Sequence, residues 1–133
     1  MKICITGSIG SGKTTLAKNL AQQLHLVYID VHKIIIEYHL AEGYDPKRKC
    51  KIVDVKKLAR VLIGILKKEN NVIIDSHLGH CIPSKYVNYC IVTRCSLPEL
   101  RKRLLRRRYS KAKIQENLQV EIFGICLEEA RKR

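Results

Sequence analysis

The sequence has no apolar run long enough to cross a bilayer. Its longest, such as Val61 to Leu66 and Val72 to Ile74, fall far short of the roughly 20 residues that a spanning helix needs. The chain opens on a strand-like segment in place of a charged and apolar secretory leader, so the expected setting is cytoplasmic, or nuclear in a eukaryote, with no membrane partner. Prolines number three, and no repeat, Pro-rich linker or low-complexity tract divides the 133 residues, which predicts a single domain, 1–133, around one core. Cysteines stand at 4, 50, 81, 90, 95 and 126 without paired spacing. That suits buried thiols in a reducing compartment better than a disulfide framework. Acidic residues are scarce, 12 against 26 Lys and Arg, for a formal charge of +14. A mononucleotide needs few cations, so the surplus points to RNA, a ribonucleoprotein or an acidic partner, with a solubility role as the plainer alternative.

Strand-like and helix-like runs alternate along the chain. The patterning predicts strands over 2–6, 27–30, 72–76 and 88–94, and helices over 13–24, 54–69, 97–107 and 111–131, with a mixed helical stretch over 32–42. Pro98 followed by Glu99 suits a helix start. This order predicts an α/β fold with a parallel sheet covered by helices and ligands at the carboxyl ends of the strands. The final Leu127-Glu-Glu-Ala-Arg-Lys-Arg133 is still helical in pattern, and four strands make a small sheet. A cut-short sequence, or a partner at one sheet edge, is the expectation.

Between the first strand and the first helix lies Gly7-Ser-Ile-Gly-Ser-Gly-Lys-Thr14. Glycines there let backbone amides converge on phosphates at a helix N-terminus. Lys13 is placed to reach the β- and γ-phosphates and Thr14 to bind Mg²⁺. A chance glycine-rich turn is the alternative, and the strand-to-helix setting argues against it. Such a cradle needs a second acid at the end of another central strand. Asn71-Val-Ile-Ile-Asp75 supplies Asp75 as a metal ligand through water, unless it merely caps a turn. Two residues on, His77 could orient a water or touch the metal-bound phosphate. The competing readings are a plain loop histidine and a zinc set of His77, His80 and Cys81, which lacks a partner cluster with finger spacing.

Eight Lys and Arg residues fall between 101 and 113. Helical spacing turns Leu97, Leu100 and Leu104 inward and leaves Arg101, Lys102 and Arg103 largely outside. Arg106-Arg-Arg-Tyr109 falls at a break between two helices, where one or two guanidinium groups could close over a nucleotide; the rest read as a solvated face.

Taken together, GSIGSGKTT, the segment Ala41-Glu-Gly-Tyr-Asp45 with Cys50 and Ile52-Val-Asp54, the run Val72-Ile-Ile-Asp-Ser-His77 with Pro83, and residues 106–123 ending in Gln-x-Glu-Ile-Phe resemble the adenylate kinase isoenzyme six family. Its members are also described as a coilin-interacting nuclear ATPase and, in yeast, a ribosome-maturation factor. The resemblance runs through essentially the whole chain with nearly constant spacing. Singly, Gly43-Tyr44-Asp45 reads as a turn and Gln119 to Phe123 as an amphipathic helix; jointly they are specific.

The resemblance implies a three-layer P-loop NTPase fold of about four parallel strands in the order 2-3-1-4, with a fifth strand missing. It implies a monophosphate-binding segment near 30–53 and a lid near 106–116. ATP would be held by Gly10, Ser11, Gly12, Lys13, Thr14, Thr15 and the lid arginine Arg107. Lys13, Asp75, His77 and Arg107 would serve catalysis, and Thr14 and Asp75 would hold Mg²⁺. The activity implied is transfer from Mg·ATP to a nucleoside monophosphate, AMP above all, with ATPase activity beside it. A role in small ribosomal subunit maturation, through a ribosomal protein or rRNA, is also implied.

Three departures stand out. Ile36 takes the place of an arginine that contacts the acceptor phosphate, Arg108 replaces a glycine beside the lid arginine, and similar proteins continue beyond Arg133. The competing function is a ribosome-assembly ATPase whose nucleotide state changes its grip on a partner. A nucleotide-free structural module is the third reading.

Overall fold

Ile3, Cys4 and Ile5 are each at most 4% exposed, and a strand apolar on both faces belongs at the centre of a sheet covered on both sides. The structure, a computed structural model, describes residues 1–46 and 50–132, with the side chains of Cys50 and Lys51 outside the description. In it, β1 (Lys2–Gly7) lies between β5 (Val72–Asp75) and β6 (Tyr89–Thr93), and β2 (Val27–Asp30) flanks β5. All three pairings are parallel. By chain order the four strands run second, third, first, fourth, which is the expected arrangement.

Alternation along the strands divides the core into two faces. Ile3, Ile5 and Ile73 meet Ala17 and Ala21 of α1 (Lys13–Leu24) on one face. On the other, Cys4, Val72 and Ile74 meet Leu58, Leu62 and Leu66 of α3 (Val55–Lys68), with Val31 and Ile35 of α2 (Val31–Glu37) alongside. The i, i+4, i+8 spacing of the three leucines makes one fully buried stripe. Asp54 starts α3 by accepting from the amides of Lys56 and Lys57 at 3.0 and 3.2 Å. Leu62→Ala should therefore cost about 2–5 kcal/mol. Urea unfolding should show a lower midpoint at unchanged slope.

Two segments depart from expectation. The stretch read as mixed helix to residue 42 stops at Glu37, because His39 adopts a left-handed conformation (φ 52°) that ends the helix. The chain then forms β3 (Ala41–Asp45), paired antiparallel with β4 (Cys50–Val53), where a turn was the alternative for Gly43 to Asp45. Every β3 side chain before Asp45 is exposed, so no buried alternation announced the strand. Residues 47–49 of the expected monophosphate segment lie outside the described residues. The predicted helix 111–131 is two: α5 (Lys111–Ile122) and α6 (Ile125–Arg131) join at Gly124, whose φ of 60° breaks the helical path.

The described thiols range from buried to exposed, with Cys95 and Cys126 in between. Cys4 and Cys81 are buried as expected, Cys90 is exposed, and no disulfide joins the described cysteines. Cys4 and Cys90 are register partners on β1 and β6. Their hydrogen bond and the burial of Cys4 push the Cys4 thiol up, while the same bond lowers Cys90 to about 7. No helix among the described residues is long and apolar enough to cross a membrane.

Candidate nucleotide-binding site

The loop from β1 to α1 carries three glycines at positive φ, Gly7, Gly10 and Gly12. Gly7 has φ 147°, and a Cβ there would lie 2.6 Å from the Thr93 carbonyl oxygen. Gly12, at φ 94°, sits at the N-cap of α1 with no side-chain cap, which leaves the first helical amides open to a ligand. Inside the loop, Ser11 Oγ donates to the Ser8 carbonyl at 2.7 Å and lies 2.6 Å from Thr93 Oγ1. Ser11 is thus turned into the loop, whereas Gly10, Gly12, Lys13, Thr14 and Thr15 line an open cleft of about 740 Å³.

Lys13 Nζ donates to the Ser8 carbonyl at 2.9 Å. Burial pulls its pKa down, and the nearby Asp75 carboxylate opposes that loss of charge. Asp75 ends β5 at 6% exposure, opposite Ile5 of β1, so sheet register delivers it to the cradle. Its Oδ2 accepts from Thr14 Oγ1 at 2.7 Å and from Tyr28 Oη at 2.8 Å. Burial and the bond to the carboxylate both push the Tyr28 phenol up, keeping it a proton donor.

Hard oxygens from one hydroxyl and one carboxylate suit Mg²⁺, which keeps waters and takes its remaining ligands from substrate phosphates. Among the described residues no group of three or more His, Cys, Asp and Glu could form a protein-only metal site. The donor set therefore fits a Mg·nucleotide.

His77 lines the same cleft. Burial, then the charge of Lys13 and the presence of His32, lower it to about 4, so the ring is neutral near pH 7. Its ring centroid is 5.8 Å from that of His32. His80 points elsewhere, with Nδ1 3.1 Å from Glu129 Oε2 of α6, so the zinc trio is not assembled.

The basic stretch sorts by position. α4 (Leu97–Arg106) buries Leu100 and Leu104, and Arg107, its C-cap residue, lines the cleft with Tyr109 and Lys113. Arg103, expected outside, instead donates from Nη1 to the Gly10 carbonyl at 3.0 Å and pairs with Glu99 at 3.2 Å. Arg101, Lys102, Arg106 and Lys111 are exposed. Arg108 takes φ 56° in the turn before Ser110 caps α5. A glycine at this position carries no left-handed penalty, so Arg108→Gly should raise stability by about 1 kcal/mol. The thermal midpoint checks it.

Ile36 is 59% exposed at the cleft rim, as is Tyr44. Sequence reasoning missed Tyr28, Arg103 and the cleft-lining Asn117. Asn117 falls on the buried stripe of α5 with Ile114 and Glu121, and two polar residues on an inner face are the signal that could have exposed it.

The family model described as AAA domain matches residues 3–124. An adenylate kinase isoenzyme 6 homolog of Caenorhabditis elegans is 37% identical over 131 residues, covering 98% of this chain and 72% of its own. One from Schizosaccharomyces pombe is 40% identical over 130 residues, covering 98% and 74%. Among solved structures, the shikimate kinase of Acinetobacter baumannii in complex with shikimate superposes with TM-score 0.63 at 15% identity, covering 97% of this chain and 79% of that one. The deoxyadenosine kinase of M. mycoides with bound dATP gives TM-score 0.51 at 18% identity, covering 99% and 84%. These two likenesses concern the fold.

Proposed function

Because the chain belongs to the adenylate kinase isoenzyme 6 family, we propose that it transfers the γ-phosphoryl group of Mg·ATP to a nucleoside monophosphate, with AMP as acceptor and ADP as both products. The observation that carries this reading is the Thr14–Asp75 pair, 2.7 Å apart beside the cradle lysine, in a cleft that Arg107 also lines.

Thr14 and Asp75 would hold Mg²⁺, which would supply positive charge against the charge that develops in transfer. The chain's own residues do the remainder by position. The cradle amides and Lys13 hold the phosphates, and Thr14 and Asp75 fix the metal corner, with Tyr28 orienting the carboxylate from the side. Arg107, on the turn between α4 and α5, reaches charge on the transferring group from across the cleft. Neutral His77 can take or give a hydrogen bond to a water or an acceptor oxygen without adding a cation. Little covalent chemistry is asked of the protein; positioning and preorganised charge supply the rate.

The second reading is an ATPase switch in small ribosomal subunit maturation, engaging a ribosomal protein or rRNA. Ile36 favours it: this exposed aliphatic side chain takes the position at which the family resemblance implies an arginine on the acceptor phosphate. The exposed Arg101, Lys102, Arg106 and Lys111 offer a surface for a polyanion. ADP production from ATP, measured with and without AMP, separates the two. The kinase requires AMP for fast turnover and makes two ADP per ATP consumed; equal rates without AMP overturn it in favour of the switch.

A further inference from the structure

Gln119, Glu121, Ile122 and Phe123 form a motif that phosphoryl transfer leaves without a task. Gln119 is exposed, and Ile122 and Phe123 are 56% and 71% exposed, whereas Glu121 is 6% exposed. An amphipathic helix would place Glu121, Ile122 and Phe123 the other way round. A carboxylate taken out of water at that cost needs specific partners.

Its two oxygens serve two directions. Oε1 accepts from Arg94 Nε and from the Cys95 amide, each at 3.2 Å, and Arg94 also donates to the Glu121 carbonyl at 3.0 Å. These bonds fix the end of α5 to the chain leaving β6. Oε2 accepts from Ser8 Oγ at 2.5 Å, across 113 residues of sequence. Ser8 is 3% exposed inside the phosphate loop. Its carbonyl receives Lys13 Nζ at 2.9 Å, Ser11 Oγ at 2.7 Å and the Ser11 amide at 3.1 Å. Ser8 is therefore the junction of the loop, tied to the cradle lysine through its carbonyl and to Glu121 through its side chain.

We propose that Glu121 is a positioning residue for the phosphate cradle, acting through Ser8 to hold the loop in the shape that receives a nucleotide. It works as a strut from α5, the helix whose Lys113, Asn117 and Val120 line the same cleft. Glu121 itself is not among the residues lining that cleft. A carboxylate accepts from Ser8 and from the β6 side at once. A glutamine would have to turn its amide to one side and could still donate to the Ser8 hydroxyl, so cutting the strut takes an aliphatic residue. The proposal rests on reading the cleft as a nucleotide site and is independent of whether transfer follows.

The test is ATP affinity by isothermal titration, with the thermal midpoint measured in parallel. Ser8→Ala and Glu121→Leu should each weaken ATP by about tenfold. The double variant should be no worse than the poorer single variant, because both changes break one bond. Arg94→Gln cuts only the other arm; it should lower the midpoint while moving ATP affinity by less than about twofold. Parental affinity in Ser8→Ala overturns the proposal, as do multiplying losses in the double variant. So does an Arg94→Gln loss as large as that of Ser8→Ala, which would make Glu121 a packing group alone. Should Glu121→Leu not fold, Ser8→Ala decides. A parental chain that binds ATP but makes no ADP with AMP defeats the proposed function and leaves this one standing; ADP formation with Ser8→Ala binding ATP normally does the reverse.

Discussion

Lys13→Ala should lower kcat for phosphoryl transfer by about 10²–10³-fold, the magnitude for removing one preorganised donor from a developing charge. Among the described residues Nζ makes a single hydrogen bond, to the Ser8 carbonyl, and the residue starts α1 on its open side. The fold therefore loses little, and the thermal midpoint should stay close to the parent. Burial lowers the lysine's pKa while the Asp75 carboxylate opposes the change, and an anionic ligand beside Nζ would favour the charged form further. Phosphate oxygens can supply the bond that Ser8 now accepts. Steady-state assays with ATP and AMP check the expectation, and parental turnover by Lys13→Ala would refute the assignment of the cradle.

Thr14→Ala and Asp75→Asn should each reduce metal-dependent turnover by about 10²-fold, and the double variant should fall short of the product of the two. Both side chains converge on one corner, with Thr14 Oγ1 2.7 Å from Asp75 Oδ2. If that corner holds one Mg²⁺, whichever residue is lost first takes most of the benefit. Asp75→Asn keeps the shape of a side chain that is 6% exposed and holds Thr14 and Tyr28 on the same oxygen, so its defect should appear as a raised Mg²⁺ requirement. A Mg²⁺ titration of kcat for each variant provides the measurement. Independent, multiplying losses at saturating Mg²⁺ would show that the two residues serve different ends.

Much of this site was legible because its signals are local. Gly7 to Thr14 carries its own turn chemistry between an apolar strand and a helix, and Asn71 to Asp75 is a short apolar run that stops on an acid. The same holds for the buried leucines of α3, which repeat every fourth residue. Where pattern ran out, the structure differs. Ala41 to Asp45 has no alternating apolar face, and its strand exists only because Cys50 to Val53 pairs with it. Gly124 looked like one residue in a long helix, and its left-handed backbone splits that helix in two.

The sequence by itself determined the cradle, the strand that delivers Asp75, the four-strand order and the kinase family. Each of these rests on residue type at fixed short spacing, or on a match spread along the whole chain. Only the tertiary structure decided that Tyr28 steadies Asp75, that Arg103 reaches Gly10 and that Glu121 holds Ser8. Those contacts join residues 47, 93 and 113 positions apart. Hydrogen bonds of that kind depend on where the chain path brings two atoms together within about 3 Å. Spacing along the chain records periodicity and turns, and it holds no such distance.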